Sequence, residues 1–172
     1  MWSPNGEFIF FISNQSGEKN IWKIKSDGNG EAIQITKDAA YRFFPTPDGK
    51  FLYYIKEKFP NQFYQNKQFP EHLWRVPTVG GIEEPLPEFS AAGFFGFFTT
   101  TPTGIYFLSN NPLKLKLYDF ADGKIKGAPG NYQIPSDIDI EFIFKDNISV
   151  NKNALLYTVS KHTSRMMIAD LP

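Results

Sequence analysis

The side chains best suited to chemistry in this chain are two histidines and a short run of carboxylates. The histidines are His72 and His162, and since the sequence offers them no third ligand, it does not predict a histidine metal centre. Residues 137–141 (DIDIE) place carboxylates at alternate positions of an extended chain, about 7 Å apart. Carboxylates spaced in this way diverge instead of surrounding one calcium ion. We therefore interpret this run as a solvated strand face or as carboxylates that face lysines on the next strand, and we predict no metal site.

The sequence also lacks the usual catalytic and cofactor motifs. It contains no cysteine, which excludes disulfides, thiolate metal sites and cysteine nucleophiles. No GxSxG elbow accompanies the histidines, and the strings TVGG and GAPG miss the phosphate-loop lysine and the dinucleotide fingerprint. Residues 27–31 (DGNGE) lack the later glycine and glutamate of a calcium loop, so they predict a tight turn. The expectation is a protein that is not an enzyme, with no catalytic residue and no cofactor.

One irregular segment, residues 58–71 (KFPNQFYQNKQFPE), is rich in amide side chains and aromatic rings. Such a mixture suits contact with a peptide or a sugar. The candidate partner-binding residues are Phe59, Phe63, Tyr64, Phe69 and His72. The alternative is that the rings pack over neighbouring parts of the fold, and the sequence leaves both interpretations open.

Composition narrows the class of protein. The 172 residues include 18 Lys plus Arg and 18 Asp plus Glu, so the net charge is zero. Because nucleic-acid binding relies on neutralising phosphates, we expect none by this chain. No apolar run resembles an export signal or is long enough to span a bilayer. The 18 Phe, 13 Gly and 13 Pro are typical of strands joined by turns, which predicts an all-β fold.

The elements that would position these residues follow a repeat. The strings WSPNG (2–6), PTPDG (45–49) and TTPTG (100–104) each place Pro where a turn needs a fixed φ, with Gly two residues later. We expect each glycine to adopt the left-handed conformation. Strands are predicted at 8–13 and 20–25, at 51–57 and 72–77, and at 105–109 and 115–120, each pair being followed by a shorter polar strand. A fourth, degenerate unit has Val150 in place of proline and Lys152 in place of glycine.

The spacing of these turns identifies the fold. It is close to the roughly 40–50 residues of a four-stranded propeller blade, whereas a sandwich or a closed barrel does not explain the recurrence. We predict one β-propeller segment over residues 1–172, with approximate blades 1–40, 41–90, 91–136 and 137–172. Residues 93–98 (GFFGFF) should form a buried inner strand of the third blade. Four lysines at alternate strand positions should face solvent and discourage edge pairing; they are Lys23, Lys25, Lys114 and Lys116.

The string WSPNGEFIFFISNQSGEKNIWKIKSDGNGEAIQIT resembles the TolB-type, WD-like propeller repeat. HLWRVPTVGG, GIYFLS, LYDFADGK and NALLYT are similar to the C-terminal propeller of bacterial regulators that carry a winged-helix or Ser/Thr-kinase domain. Laid over that pattern, the four blades should have three, four, four and three strands. The family generally has six or more blades, so the resemblance implies an open partial propeller and a chain that is a fragment. A complete four-bladed ring is the alternative.

The resemblance supplies no catalytic residue, so the predicted function is a binding, sensory or scaffolding module within a larger regulator. The alternative is the gating propeller of a prolyl-oligopeptidase-type serine peptidase that lacks its hydrolase domain. Expected partners are a protein or peptide, missing blades, or a second copy of the chain. The resemblance favours a periplasmic or extracytoplasmic location, although the chain carries no export signal.

Overall fold

The computed structural model describes residues 1–56, 72–110, 112–129, 149–150, 154–160 and 164–170. Within these ranges the chain consists of antiparallel strands joined by turns, with one helix of five residues. It divides into two compact units, Met1–Ala91 and Ala92–Pro172. In the described part of the chain, no helix is long and apolar enough to cross a membrane.

The first unit contains two antiparallel sheets. Sheet 1 has the order β1-β2-β3 and consists of β1 (Phe8–Ser13), β2 (Asn20–Lys25) and β3 (Ile33–Gln34). Sheet 2 has the order β4-β5-β6-β7 and consists of β4 (Ala40–Pro45), β5 (Phe51–Lys56), β6 (Leu73–Pro77) and β7 (Glu84–Leu86). Helix α1 (Pro87–Ala91) follows sheet 2 and buries Phe89.

The second unit also contains two sheets. Sheet 3 has the order β11-β10-β9-β8 and consists of β8 (Phe94–Thr101), β9 (Gly104–Asn110), β10 (Leu113–Asp119) and β11 (Lys124–Gly127). Sheet 4 has the order β12-β13-β14 and consists of β12 (Ser149–Val150), β13 (Ala154–Ser160) and β14 (Ser164–Asp170). The described sheets therefore have three, four, four and three strands, in the sequential order expected of propeller blades. The prediction of an all-β fold built from blade-like sheets is confirmed.

The first repeat turn is held by its own side chains. Gly6 has a φ of 74° and donates its N–H to the carbonyl of Ser3 at 2.9 Å. The Ser3 hydroxyl accepts the N–H of Phe8 at 2.9 Å, and Asn5 Oδ1 accepts the N–H of Glu7 at 3.2 Å. The second turn repeats this pattern with Thr46, Asp48 and Gly49 in the equivalent positions.

The third repeat turn differs from the prediction. Thr101 pairs directly with Gly104, so only Pro102 and Thr103 form the loop. Gly104 does not have a positive φ. Thr103 stands where the other turns have Asn5 or Asp48, and a hydroxyl accepts the N–H two residues ahead more weakly than a carboxamide or carboxylate does. This difference accounts for the tighter hairpin.

Glycine is nevertheless required at Gly104, for a steric reason. A Cβ at this position would overlap the carbonyl oxygen of Tyr118 and lie 2.8 Å from Cδ1 of Leu117. Both neighbours belong to β10, which pairs with β9 along its length. The third turn therefore retains the glycine of the repeat because two strands approach closely there.

The core of the first unit lies between sheets 1 and 2. Phe10 and Ile21 from sheet 1 pack with Leu52, Tyr54 and Val76 from sheet 2, and all five side chains are buried. Alternation along the strands explains this set, because residues two apart share one face of a sheet. Burial of such large apolar side chains supplies about 1.5–3 kcal/mol each.

The core of the second unit centres on phenylalanines of β8 and β9. Phe98 pairs across the sheet with Phe107, and both are fully buried. The ring of Phe94 meets the rings of Phe98 and Phe107 edge-on, with centroids 6.0 and 5.9 Å apart, which is a favourable aromatic geometry. The buried strand predicted at residues 93–98 is confirmed.

The prediction that four lysines face solvent is wrong for two of them. Lys25 and Lys114 are exposed. Lys23 is only 8% exposed and donates to the carbonyl of Thr78 at 2.9 Å. Lys116 is half-buried and donates to the carbonyl of Ala92 at 2.7 Å. In both cases the apolar stem lies against the sheet while a backbone carbonyl receives the ammonium.

Candidate functional site

The end of sheet 2 carries a cluster of charged and aromatic side chains. Lys56 is the last residue of β5, and on β6 Trp74 pairs with Tyr54 of β5. Because Leu52, Tyr54 and Lys56 alternate along β5, they lie on the same face of the sheet. The run of apolar residues on this face of β5 therefore ends in an ammonium group.

Lys56 is neutralised on several sides. Its Nζ lies 2.9 Å from Glu83 Oε2 and 2.6 Å from Asp38 Oδ2, and 3.7 Å from the centroid of the Trp74 ring. A cation over an aromatic face is attracted by the ring quadrupole, most strongly where water is excluded. The Lys56 side chain is 12% exposed, so these contacts replace most of its hydration.

Glu83 is the hydrogen-bonding centre of the cluster. Its side chain is 9% exposed. The Tyr54 hydroxyl donates to Oε2 at 2.6 Å, and the N–H of Lys37 donates to Oε1 at 2.6 Å. Together with the Lys56 ammonium, these groups give the Glu83 carboxylate three hydrogen-bond donors. The three donors offset the cost of burying its charge.

These contacts determine the charge states at neutral pH. Burial by itself would raise the pKa of Glu83, but the bonds from Tyr54, Lys37 and Lys56 outweigh it and hold that pKa below its ordinary value. Burial would lower the pKa of Lys56, and its two carboxylate partners instead raise it. Burial and the neighbouring Glu83 raise the pKa of Tyr54. Glu83 is therefore ionised, Lys56 is charged and Tyr54 is protonated, which leaves none of the three as a base or nucleophile poised near pH 7.

The cluster forms one wall of an open depression of about 920 Å³, hereafter the Lys56 depression. Asp38, whose side chain is 68% exposed, supplies a negative charge on its wall. Ile82 also lines it and is 78% exposed, in a loop that contains the positive-φ glycines Gly80 and Gly81. The remaining lining residues are Gln34, Ile35, Thr36, Lys37, Lys56, Trp74 and Glu83. An open surface with an aromatic ring, an exposed apolar side chain and an exposed carboxylate can receive a protruding group of another molecule.

Of the five predicted partner-binding residues, only His72 is among those that the structure describes. Phe59, Phe63, Tyr64 and Phe69 lie outside the described residues. His72 lies immediately before β6 and is half-buried, and its Nδ1 is buried without a hydrogen-bond partner among the described residues. The segment that contains the four rings connects β5 to β6, the strands that carry Lys56 and Trp74.

Of the other candidates from the sequence, only some lie among the residues that the structure describes. Asp27 accepts the N–H of Asn29 at 2.8 Å and Gly28 has a φ of 77°, which confirms the tight turn. Residues 137–141 and His162 lie outside the described residues. Among the residues that are described, no three His, Asp or Glu side chains are grouped to hold a metal ion.

Sequence reasoning did not find Asp38, Lys56 or Glu83. The alternation of side chains along β5 is a usable signal for Lys56. It places Lys56 on the same face as Leu52 and Tyr54, and therefore towards the core. No comparable signal marks Asp38 or Glu83, because both lie outside regular strands and reach Lys56 only through the tertiary fold.

No protein-family model and no curated protein matches the sequence. Among solved structures, the chain is similar to TolB from Acinetobacter baumannii, with a TM-score of 0.62 and 16% identity over 99% of this chain and 40% of that one. A second structure, described as a TolB from Agrobacterium tumefaciens, gives a TM-score of 0.52 and 17% identity over 73% of this chain and 46% of that one.

A third similar structure is an oligogalacturonate lyase in complex with manganese, with a TM-score of 0.51 and 16% identity. It covers 73% of this chain, which matches 37% of the lyase. The chain thus spans less than half the length of each of these proteins. At such low identity the likeness concerns the fold alone, and that fold is a TolB-like β-propeller.

Proposed function

We propose that this chain is a non-catalytic binding module that receives a protein or peptide partner at the Lys56 depression. One observation carries the proposal: the Lys56 depression is open, and the two buried charges of its wall already compensate each other. Lys56 and Glu83 neutralise each other, so they hold the wall in place and need no substrate charge to complete them. Asp38 and Ile82 remain exposed for contact.

The physical chemistry of the wall suits recognition better than turnover. Interfaces are centred on aromatic anchors in rigid surroundings and are bordered by polar groups. Trp74 packs against the core between sheets 1 and 2, so a partner that contacts its edge would meet a surface that is already ordered. Little conformational entropy would be lost there on binding.

We further propose that residues 58–71 contribute the rings Phe59, Phe63, Tyr64 and Phe69 to the same interaction, together with His72. Support comes from connectivity, since this segment joins the two strands that carry Lys56 and Trp74. Aromatic side chains offer large contact area at low entropic cost. The setting we propose is a larger regulator, in line with the resemblance of the repeats. No observation among the described residues favours the peptidase alternative.

Peptides selected from a phage-displayed library against the wild-type chain provide the test, with affinity measured by fluorescence polarisation. Two double variants address the site: Asp38→Lys with Ile82→Ser, and Phe63→Ser with Tyr64→Ser. Each should weaken the selected peptides at least tenfold. Lys114→Ser, at an exposed position of the second unit, is the control and should leave affinity unchanged. Failure to enrich any peptide, or equal binding by all variants, would contradict the proposal.

A further inference from the structure

A second cavity lies between the first two repeat turns and shares no lining residue with the Lys56 depression. Its volume is about 340 Å³, at the small end of the range for ligand sites. Its lining includes Pro4, Phe8, Lys23, Pro47 and Val79. We call this space the Lys23 cavity. We propose that it binds an organic carboxylate whose attached group is apolar, with the Lys23 ammonium as the counterion.

The first argument is the state of Lys23. The residue is more than nine-tenths buried. Among the described residues it has two partners, the carbonyl of Thr78 at 2.9 Å and the ring of Phe8, whose centroid lies 4.8 Å from Nζ. An ammonium group has three N–H donors, so donors remain for a ligand. A buried cation without an anionic partner is costly, and a bound carboxylate would remove that cost.

The second argument concerns the other charge on the wall. Asp48 is the only other charged residue among those that line the cavity. Its carboxylate is engaged within its own turn, where it accepts from the Thr46 hydroxyl at 2.5 Å and from the N–H of Lys50 at 3.1 Å. The ammonium of Lys50 lies 3.6 Å from it. The charge of Asp48 is therefore balanced locally, and that of Lys23 is not.

The third argument is the composition of the remaining wall. Pro4, Pro47, Phe8 and Phe10 present apolar surface beside the ammonium. An inorganic anion would leave that surface uncovered, whereas a carboxylate carrying an aromatic or branched group would cover it while pairing with Lys23. Burial lowers the pKa of Lys23, as expected for a cation that lacks a compensating charge.

The same ligand chemistry has two sources, a free small carboxylate and the carboxyl terminus of a peptide. The probes are 3-phenylpropionate, its neutral amide, and a pentapeptide ending in Phe with either a free or an amidated terminus. Binding is measured by isothermal titration calorimetry on the full chain. If only 3-phenylpropionate binds, the site takes a free small carboxylate, and if only the pentapeptide with a free terminus binds, it takes a peptide terminus. If the site takes both, the two free carboxylates should compete for it. Neither amide should bind measurably.

The decisive variant is Lys23→Met, which keeps the apolar stem and removes the charge. It should weaken carboxylate binding at least tenfold. Lys25→Met, two residues further along the same strand and exposed, is the matched control and should change affinity less than twofold. Absence of binding at 10 mM, equal binding by the amides, or unchanged affinity in Lys23→Met would each overturn the proposal.

A measurement on the unmodified protein covers the case in which Lys23→Met does not fold. Affinity for 3-phenylpropionate should fall as pH rises through the lowered pKa of Lys23, because the neutral amine no longer attracts the carboxylate. Asp48, whose pKa is held below its ordinary value by its bonds to Thr46 and Lys50, stays ionised throughout and contributes no such change. Affinity that does not depend on pH between 7 and 11 would contradict the assignment of Lys23.

Discussion

The ammonium nitrogen of Lys56 lies 3.7 Å from the centroid of the Trp74 ring, at the end of the core between sheets 1 and 2. Trp74 packs against that core, and Lys56 is held from its other sides by Glu83 and Asp38. The contact therefore connects the wall of the Lys56 depression to the buried core of the unit. Removal of the Lys56 cation should therefore lower the free energy of unfolding, in addition to any effect on binding.

Lys56→Met should lower the free energy of unfolding by about 2–3 kcal/mol, because Glu83 is then left buried without its cation. The matched control is Lys50→Met. Lys50 pairs with Asp48 at 3.6 Å, with 74% of its side chain exposed, so its loss should cost less than about 0.5 kcal/mol. Urea unfolding followed by tryptophan fluorescence measures both, since Trp2, Trp22 and Trp74 all lie in the first unit. Equal costs for the two variants would show that Glu83 does not depend on Lys56.

Acid should destabilise the protein partly through Glu83. A carboxyl group whose pKa is lower in the folded than in the unfolded state stabilises the fold above its unfolded pKa, which is about 4.3 for Glu. That contribution is lost as pH falls through the folded value. Since the pKa of Glu83 is lowered, the stability of Glu83→Gln should fall less steeply than that of the wild type between pH 5 and 3. Glu31→Gln, at an exposed position, should follow the wild-type profile, and a Glu83→Gln profile parallel to the wild type would count against this role.

Tyr54→Phe should cost about 1–2 kcal/mol, because it removes a donor from a buried carboxylate while keeping the ring in the core. The hydroxyl lies 2.6 Å from Glu83 Oε2, so the cost should shrink when Glu83 is already Gln. A double-mutant cycle by urea unfolding measures this coupling. Additive effects of the two substitutions would indicate that the hydroxyl acts on some other group.

The strands and their order could be predicted because local signals determine them. Strand-like runs that follow the repeated turn predicted β1 and β2 with the observed bounds, and the repeated Pro and Gly placed the turns that join successive strands. These signals depend on neighbours within a few residues, which the sequence displays directly. The count of strands per sheet followed from the repeat and the family resemblance.

The Lys56 depression could not be predicted in the same way. Glu83 lies 27 positions after Lys56 in the sequence, and their contact exists only because sheet 2 brings the segment before β7 beside the end of β5. Lys23 shows the same limit, since its partner Thr78 lies 55 positions further along the chain. Its charge suggested an exposed residue, whereas its position two residues after buried Ile21 placed it on the core face. In both β2 and β5, the alternation of side chains along the strand indicates the burial of the lysine better than its charge does.

The third repeat turn supplies the sharpest test of how a glycine is used. Gly104→Asn should destabilise the second unit by about 3 kcal/mol or more, since its Cβ would overlap the backbone of Tyr118 and a packed strand pair cannot yield without losing contacts. Gly6→Asn is the control. Gly6 has a φ of 74° with open space around it, and Asn tolerates the left-handed region, so the cost should stay near 0.5 kcal/mol. Urea unfolding followed by far-ultraviolet circular dichroism compares the two. A larger cost at Gly6 than at Gly104 would show that conformational freedom, and not the close approach of β9 and β10, maintains this glycine.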